Sequence, residues 1–151
     1  MIWRTILPLL LTLLSPAAGI DPLCSGCASG KLMLKCDQYV VKQGKMEMRS
    51  TCEKYAEIVD VDGASAKAAW YYLLAGKADK AESAAKRAVD LGQVYANEYL
   101  ACALLIKGRE DEAKAAMKLF RRGVEQHSFV KRDIEALAKL YPDIDFGKLK
   151  K

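Results

Sequence analysis

The stretch YYLLAGKADKAESAAKRAV, residues 71–89, decides the fold. Thirty-two residues further on the chain reads LLIKGREDEAKAAMKLF, residues 104–120. Gly76 then lies over Gly108, Ala81 over Ala113 and Ala69 over Ala101. Ala, Lys, Leu and Glu dominate this part of the chain, and all four are strong helix formers. Apolar residues recur at helical spacing: Ala81, Ala84, Ala85 and Ala88, then Ala113, Ala116, Met117 and Phe120. A glycine separates two helical runs each time. Asp79 and Asp111 follow those glycines, where a helix start favours negative charge.

The same ruler laid backward lands on Gly44. Its flanks, CDQYVVKQGKMEMRSTCEKYAEIV, are again apolar at helical spacing, and Ala56 matches Ala88 and Phe120. Arg49 stands where Ala81 and Ala113 stand, so this first unit is degenerate. Three helix-turn-helix units are expected, at 30–61, 62–93 and 94–125. A period in this range is the signature of stacked helical repeats, whose hairpins cannot bury their apolar faces alone. The final segment, FVKRDIEALAKLYPDIDFGKLK, gathers Ile134, Leu137, Ala138 and Tyr141 on one face and ends at Pro142. Residues 126–151 are therefore expected to form a capping helix and tail over the third unit. Strand signals are almost absent, so the predicted class is all-α: a short α-solenoid of about three hairpins with a C-terminal cap.

The N-terminus carries a different message. Arg4, the apolar run Ile6–Leu14 and the small residues AAG at 17–19 predict a secretory signal peptide over residues 1–19. The run is shorter than the roughly 20 residues a spanning helix needs, so no stable membrane insertion is expected after cleavage. Residues 20–29 form a cysteine-containing linker. Without Arg4, 23 Lys and Arg face 19 Asp and Glu, a net charge of +4. That excess is small and dispersed, which favours solubility and gives no nucleic-acid footprint. The expected location is periplasmic or secreted, where disulfides persist.

Five cysteines stand at 24, 27, 36, 52 and 102, an odd number, so at least one thiol stays free or pairs with another molecule. Cys36 and Cys52 lie eight residues either side of Gly44, at matching heights of a helical hairpin, and are expected to bridge. A bond from Cys24 or Cys27 to Cys52 is the competing connectivity. Cys102, on a helix interior, reads as a free buried thiol. Cys24 and Cys27 form a CxxC, read here as structural disulfide chemistry, with a thiol-disulfide redox pair or sensor as the alternative. The βαβ context usual for such a pair is missing. The one histidine, His127, has no partner motif, and no phosphate loop, catalytic triad or metal pair is legible. No catalytic residue, metal or cofactor is expected.

The motif of a small residue, an aromatic or Leu, Gly and a second small residue occurs as Ala69-Tyr72-Gly76-Ala81 and Ala101-Leu104-Gly108-Ala113. It resembles the tetratricopeptide repeat, and more distantly Sel1-like helical repeats. GKADKA and GREDEA are similar to that family's turn and second-helix start. The resemblance covers 62–125 well and 30–61 weakly. It implies a non-enzymatic adaptor whose first helices line a concave face that takes a protein or peptide. Carried over, that face holds Gln38, Val41 and Lys42 from the first unit and Trp70, Leu73 and Leu74 from the second. The third unit adds Glu98, Cys102, Leu105 and Ile106. Leu73 and Leu105 also read as ordinary core. Trp70 is the favoured anchor, because large amphipathic rings dominate recognition surfaces.

Overall fold

A computed structural model describes residues 28–125 and 128–150 of the chain, with the side chains of 128 and 129 left aside. The described residues are mostly helical, with no strand among them. Helix α1 spans Ala28–Lys35 and continues as a π-helical stretch, Cys36–Lys42. Then follow α2 (Arg49–Val61), α3 (Ser65–Leu74), α4 (Ala78–Asp90), α5 (Asn97–Ile106), α6 (Glu110–Gly123) and α7 (Ser128–Leu140). Short 3-10 turns occupy Met46–Met48, Val94–Ala96 and Phe146–Leu149.

The glycine ruler marks the turns because of backbone geometry. Gly44, Gly76 and Gly108 take φ of 66°, 78° and 78°, a left-handed conformation that costs other residues a Cβ clash. After Gly76 the Lys77 amide donates to the Tyr72 carbonyl at 2.9 Å, and after Gly108 the Arg109 amide donates to Leu104 at 2.9 Å. These are helix-closing bonds that satisfy the orphan carbonyls of the last turn. At Gly44 the matching bond reaches one residue further back, from Lys45 to Tyr39 at 2.9 Å. The wider π stretch accounts for that extra residue. π segments inside helices are rare and gather at functional sites.

The turns make three hairpins, α1–α2, α3–α4 and α5–α6, and consecutive hairpins pack through α2 against α3 and α4 against α5. The small residues sit at the crossings. Ala69, Ala81, Ala101 and Ala113 are all fully buried, where a longer side chain would overpack. Tyr55, Val59, Leu73, Leu74, Met117 and Phe120 fill the interior between them. Among the described cysteines, Cys36 and Cys52 form a disulfide with Cα atoms 5.0 Å apart, and Cys102 is free and buried. The hairpin-staple pairing therefore holds. Cys24 and Cys27 lie outside the described residues.

Ion pairs tie the second helices of successive hairpins. Lys80 reaches Glu53 and Glu57, each at 2.9 Å, and Arg87 reaches Asp60 at 2.6 Å. Glu82 is the buried member of this ladder. It accepts from Lys107 at 2.6 Å, Lys86 at 2.5 Å and Arg109 at 2.9 Å. Those hydrogen bonds, Lys107 first, hold its carboxyl down to about 2 from the usual 4.5. A depressed carboxyl contributes stability that is full above its unfolded value and is lost as pH falls toward the folded one. Glu82→Gln is therefore expected to cost about 2 kcal/mol at pH 7, the scale of a charge-assisted hydrogen-bond set with exposed donors. The gap to wild type should narrow by pH 3, and urea melts at the two pH values measure it. An equal gap at both would reject the charge-assisted account.

Helix α7 extends beyond the cap expected for the third unit. Ile134 and Val130 share a cleft with Met117 and Phe120 of α6, so the third unit is covered. The same helix reaches α3: the Tyr141 hydroxyl donates to the Leu73 carbonyl at 2.6 Å. It reaches α2 as well, where Arg49 Nη2 donates to the Leu140 carbonyl at 3.2 Å. Its buried face is Ile134, Leu137 and Leu140, whereas Ala138 is exposed, which corrects the expected apolar face at that position. The 3-10 turn Phe146–Leu149 packs on α5 and α6 and buries Phe146 and Leu149.

Candidate functional site

A cleft of about 330 Å³ opens where the first hairpin, α3 and α7 meet. Asp37, Val41 and Lys42 of the π stretch, Trp70 and Tyr71 of α3, and Arg132, Asp133 and Ala136 of α7 line it. Trp70 is half-buried and packs its ring against Tyr99 of α5, centroids 5.8 Å apart. The Tyr71 hydroxyl donates to Asp37 at 3.1 Å and the Tyr71 ring meets Tyr55 edge-on at 4.6 Å. Burial pushes the Asp37 carboxyl up, against the opposing pull of Tyr71 and Lys42. Burial also raises Tyr71, beside Asp37, so it remains a neutral donor.

A second polar contact involves Asp133 of the cleft lining. Glu98 of α5 is 2% exposed and Asp133 of α7 is 6% exposed. The Glu98 carboxyl hydrogen-bonds Asp133. Burial, then the Asp133 charge, pushes Glu98 up to about 8, and burial raises Asp133 too. The Glu98 Oε1 is buried with no hydrogen-bond partner.

The residues expected to form the partner face divide into three groups. Val41, Lys42 and Trp70 come together at the cleft. Gln38 is exposed and does not line it, and Ile106 is half-buried at the core edge. Leu73, Leu74, Cys102 and Leu105 lie in the core, as the core reading of Leu73 and Leu105 requires. Their side chains are not an open surface, because α3 and α5 are packed on both sides. Glu98 is buried as well and turned to α7. Burial pushes the Cys102 thiol well above its usual range, so it is not poised for thiolate chemistry.

Sequence reasoning missed Asp37, Tyr71, Arg132, Asp133 and Arg49. Arg49 had a signal, since it breaks the small-residue rule kept at Ala81 and Ala113. Arg49 lies over the Tyr141 ring, 5.0 Å from its centroid, so a large cation replaces the small residue where α7 must be held. Asp133 and Asp37 had no comparable signal, because their partners lie on other elements.

A larger and more open depression, about 960 Å³, is lined by Glu110, Lys114, Lys118, Arg121, Asp145 and Lys148. Glu110 is bridged there by Lys114 and Lys148, each at 2.6 Å, which makes it an ion-paired surface. Among the described residues no group of three or more His, Cys, Asp or Glu is placed to hold a metal ion, and no helix is long and apolar enough to cross a membrane. No protein-family model, curated protein or solved structure matches this chain.

Proposed function

We propose that the chain is a short, tetratricopeptide-like α-solenoid that works as an exported, non-enzymatic adaptor, holding a protein or peptide on the face formed by its first helices. The observation that carries the reading is the position of Trp70. It stands half-uncovered at a cleft to which two hairpins and the C-terminal helix contribute side chains. A large ring between a carboxylate, Asp37, and two cations, Lys42 and Arg132, offers an apolar anchor with polar groups to orient a peptide. The secretory signal expected at residues 1–19 is what supports a periplasmic or extracellular location for this activity.

The test joins capture with stability. Partners are captured by the mature protein from its native envelope, and binding is then compared for wild type and Trp70→Ala. A loss of about 2 kcal/mol or more is expected, the scale of a central aromatic anchor. Thermal melts of the same variant separate binding from folding, since truncating a buried aromatic costs roughly 3–5 kcal/mol. Lys54→Ala, on the exposed side of α2, serves as the control and should change neither measurement. A Trp70→Ala protein that melts normally and still captures its partner would place the working surface elsewhere.

A further inference from the structure

The cleft shared by α6 and α7 differs in chemistry from the one at Trp70, and the two have no lining residue in common. It measures about 330 Å³. Met117 and Phe120 of α6 and Val130 and Ile134 of α7 give it an apolar lining. Met117, Phe120 and Ile134 are buried core residues and Val130 is half-buried, so an apolar occupant would extend the core. The polar side chains of the lining are Arg121, Lys131 and Lys150, all exposed and all cationic. No carboxylate stands among the lining residues. The Trp70 cleft, by contrast, sets Asp37 and Asp133 beside its cations, and the larger depression sets Glu110 and Asp145 beside its own. Among the described residues neither Lys131 nor Lys150 enters an ion pair, whereas Lys80, Lys107, Lys114 and Lys148 each do. Arg121 donates to the Leu149 carbonyl, which ties it to the C-terminal turn that Lys150 closes.

We propose that the α6–α7 cleft binds a free fatty acid, with its chain against Met117, Phe120, Val130 and Ile134 and its carboxylate toward Arg121, Lys131 and Lys150. The lining side chains favour an acyl chain over a peptide. A peptide brings backbone N–H groups that need acceptors when buried, and lysine and arginine side chains only donate. An acyl chain brings no polar group except its head. A carboxylate head only accepts, and it carries the charge that the three cations lack in a partner. The volume stands at the low end of ligand pockets, which run to about 300–1,000 Å³, and so suits one chain rather than the paired chains of a membrane lipid. The site goes beyond the adaptor reading and does not depend on it.

Isothermal titration of the full-length protein with octanoate, nonanoate and decanoate, each below its micelle-forming concentration, is the test. Saturable binding is expected, tightening about fourfold for each added methylene. Octanol keeps the chain and removes the charge, and should bind about tenfold more weakly than octanoate. Octyltrimethylammonium, with the opposite charge, should not bind. Lys131→Ala combined with Lys150→Ala should weaken octanoate about tenfold and leave octanol unchanged. Both lysines are exposed, so this variant keeps the fold. Methyl NMR reads the place: the resonances of Met117, Val130 and Ile134 should move with decanoate at the calorimetric midpoint, while Val41 at the Trp70 cleft stays. No saturable decanoate binding, or shifts at Val41 instead, overturns the site. Octanol or octyltrimethylammonium binding as tightly as octanoate, or a double-lysine variant equal to wild type, overturns the anionic head. An N-acetylated leucine tripeptide that binds more tightly than decanoate makes a peptide the occupant and overturns the acyl chain. A protein blind to decanoate that sediments with phosphatidylglycerol vesicles makes an anionic membrane the occupant and overturns it equally.

Discussion

Replacing both Cys36 and Cys52 by Ala is expected to lower stability by about 3 kcal/mol and the melting temperature by about 10 °C. The bridge closes a loop of sequence separation 16 across the first hairpin. A crosslink over a loop of that size removes roughly this much free energy from the unfolded chain by limiting its conformations. The first hairpin needs the constraint more than the others do. Its crossing carries Arg49 where the second and third hairpins carry Ala81 and Ala113, and its first helix changes to a π stretch at Cys36. Both cysteines are fully buried, so reductant reaches the bridge only when the hairpin opens. Differential scanning calorimetry of the double variant, with dithiothreitol-treated wild type beside it, measures the loss. A drop below about 1 kcal/mol would mean that packing alone holds the first hairpin. The Cys102 thiol, also buried, should react with an alkylating reagent only after unfolding in either protein.

What the sequence made legible was local. Gly44, Gly76 and Gly108 could be read because a helix-ending turn asks for positive φ at one residue, and the need repeats with each hairpin. Gly63 and Gly92 do the same work between hairpins, at φ of 85°, but their spacing is off the ruler and they went unread. The disulfide was legible for a related reason, since distance from a known turn fixes height along a hairpin. The place of α7 was not. An amphipathic terminal helix announces that it will cover something, and its pattern does not say how far it reaches. The covered side did leave a trace. SAKAAWYYLL in α3 and NEYLACALLI in α5 are apolar nearly all round, whereas α4 and α6 carry one apolar stripe. A helix that is apolar all round is buried all round. Leu74 could have been assigned to the core on that ground, beside Leu73, Leu105 and Cys102, for which a buried reading was already open. Glu98 follows from the same geometry: a carboxyl on a doubly covered helix must meet whatever covers it.

Arg49→Ala separates two accounts of the first hairpin, because they differ in sign. If residue 49 mattered only for helix crossing, Ala would relieve crowding and restore the residue type found at 81 and 113, so stability would rise slightly. If Arg49 exists to hold α7, Ala removes the hydrogen bond to the Leu140 carbonyl at 3.2 Å and the guanidinium over the Tyr141 ring. A cation on the last turn of a helix is favoured by the helix dipole as well. Against these stands the buried Arg49 Nε, which has no hydrogen-bond partner and whose removal regains part of the loss. The balance is expected to be a loss of about 3 kcal/mol. It should be confined first to α7, so that exchange protection over residues 137–141 falls about a hundredfold while α4 amides hold. Arg49→Lys keeps the charge but lacks the planar fork that donates and stacks together, and should fall between wild type and Ala. Gly76 gives an independent reading of the same contact. A Cβ there would stand 2.9 Å from Arg49 Nη1 and would also be strained at φ 78°, so Gly76→Ala should loosen α7 along with its own turn. An Arg49→Ala protein with unchanged α7 protection would show that Ile134, Leu137 and Leu140 hold the helix unaided. Arg49 would then be a tolerated defect of the first hairpin rather than the anchor of the cover.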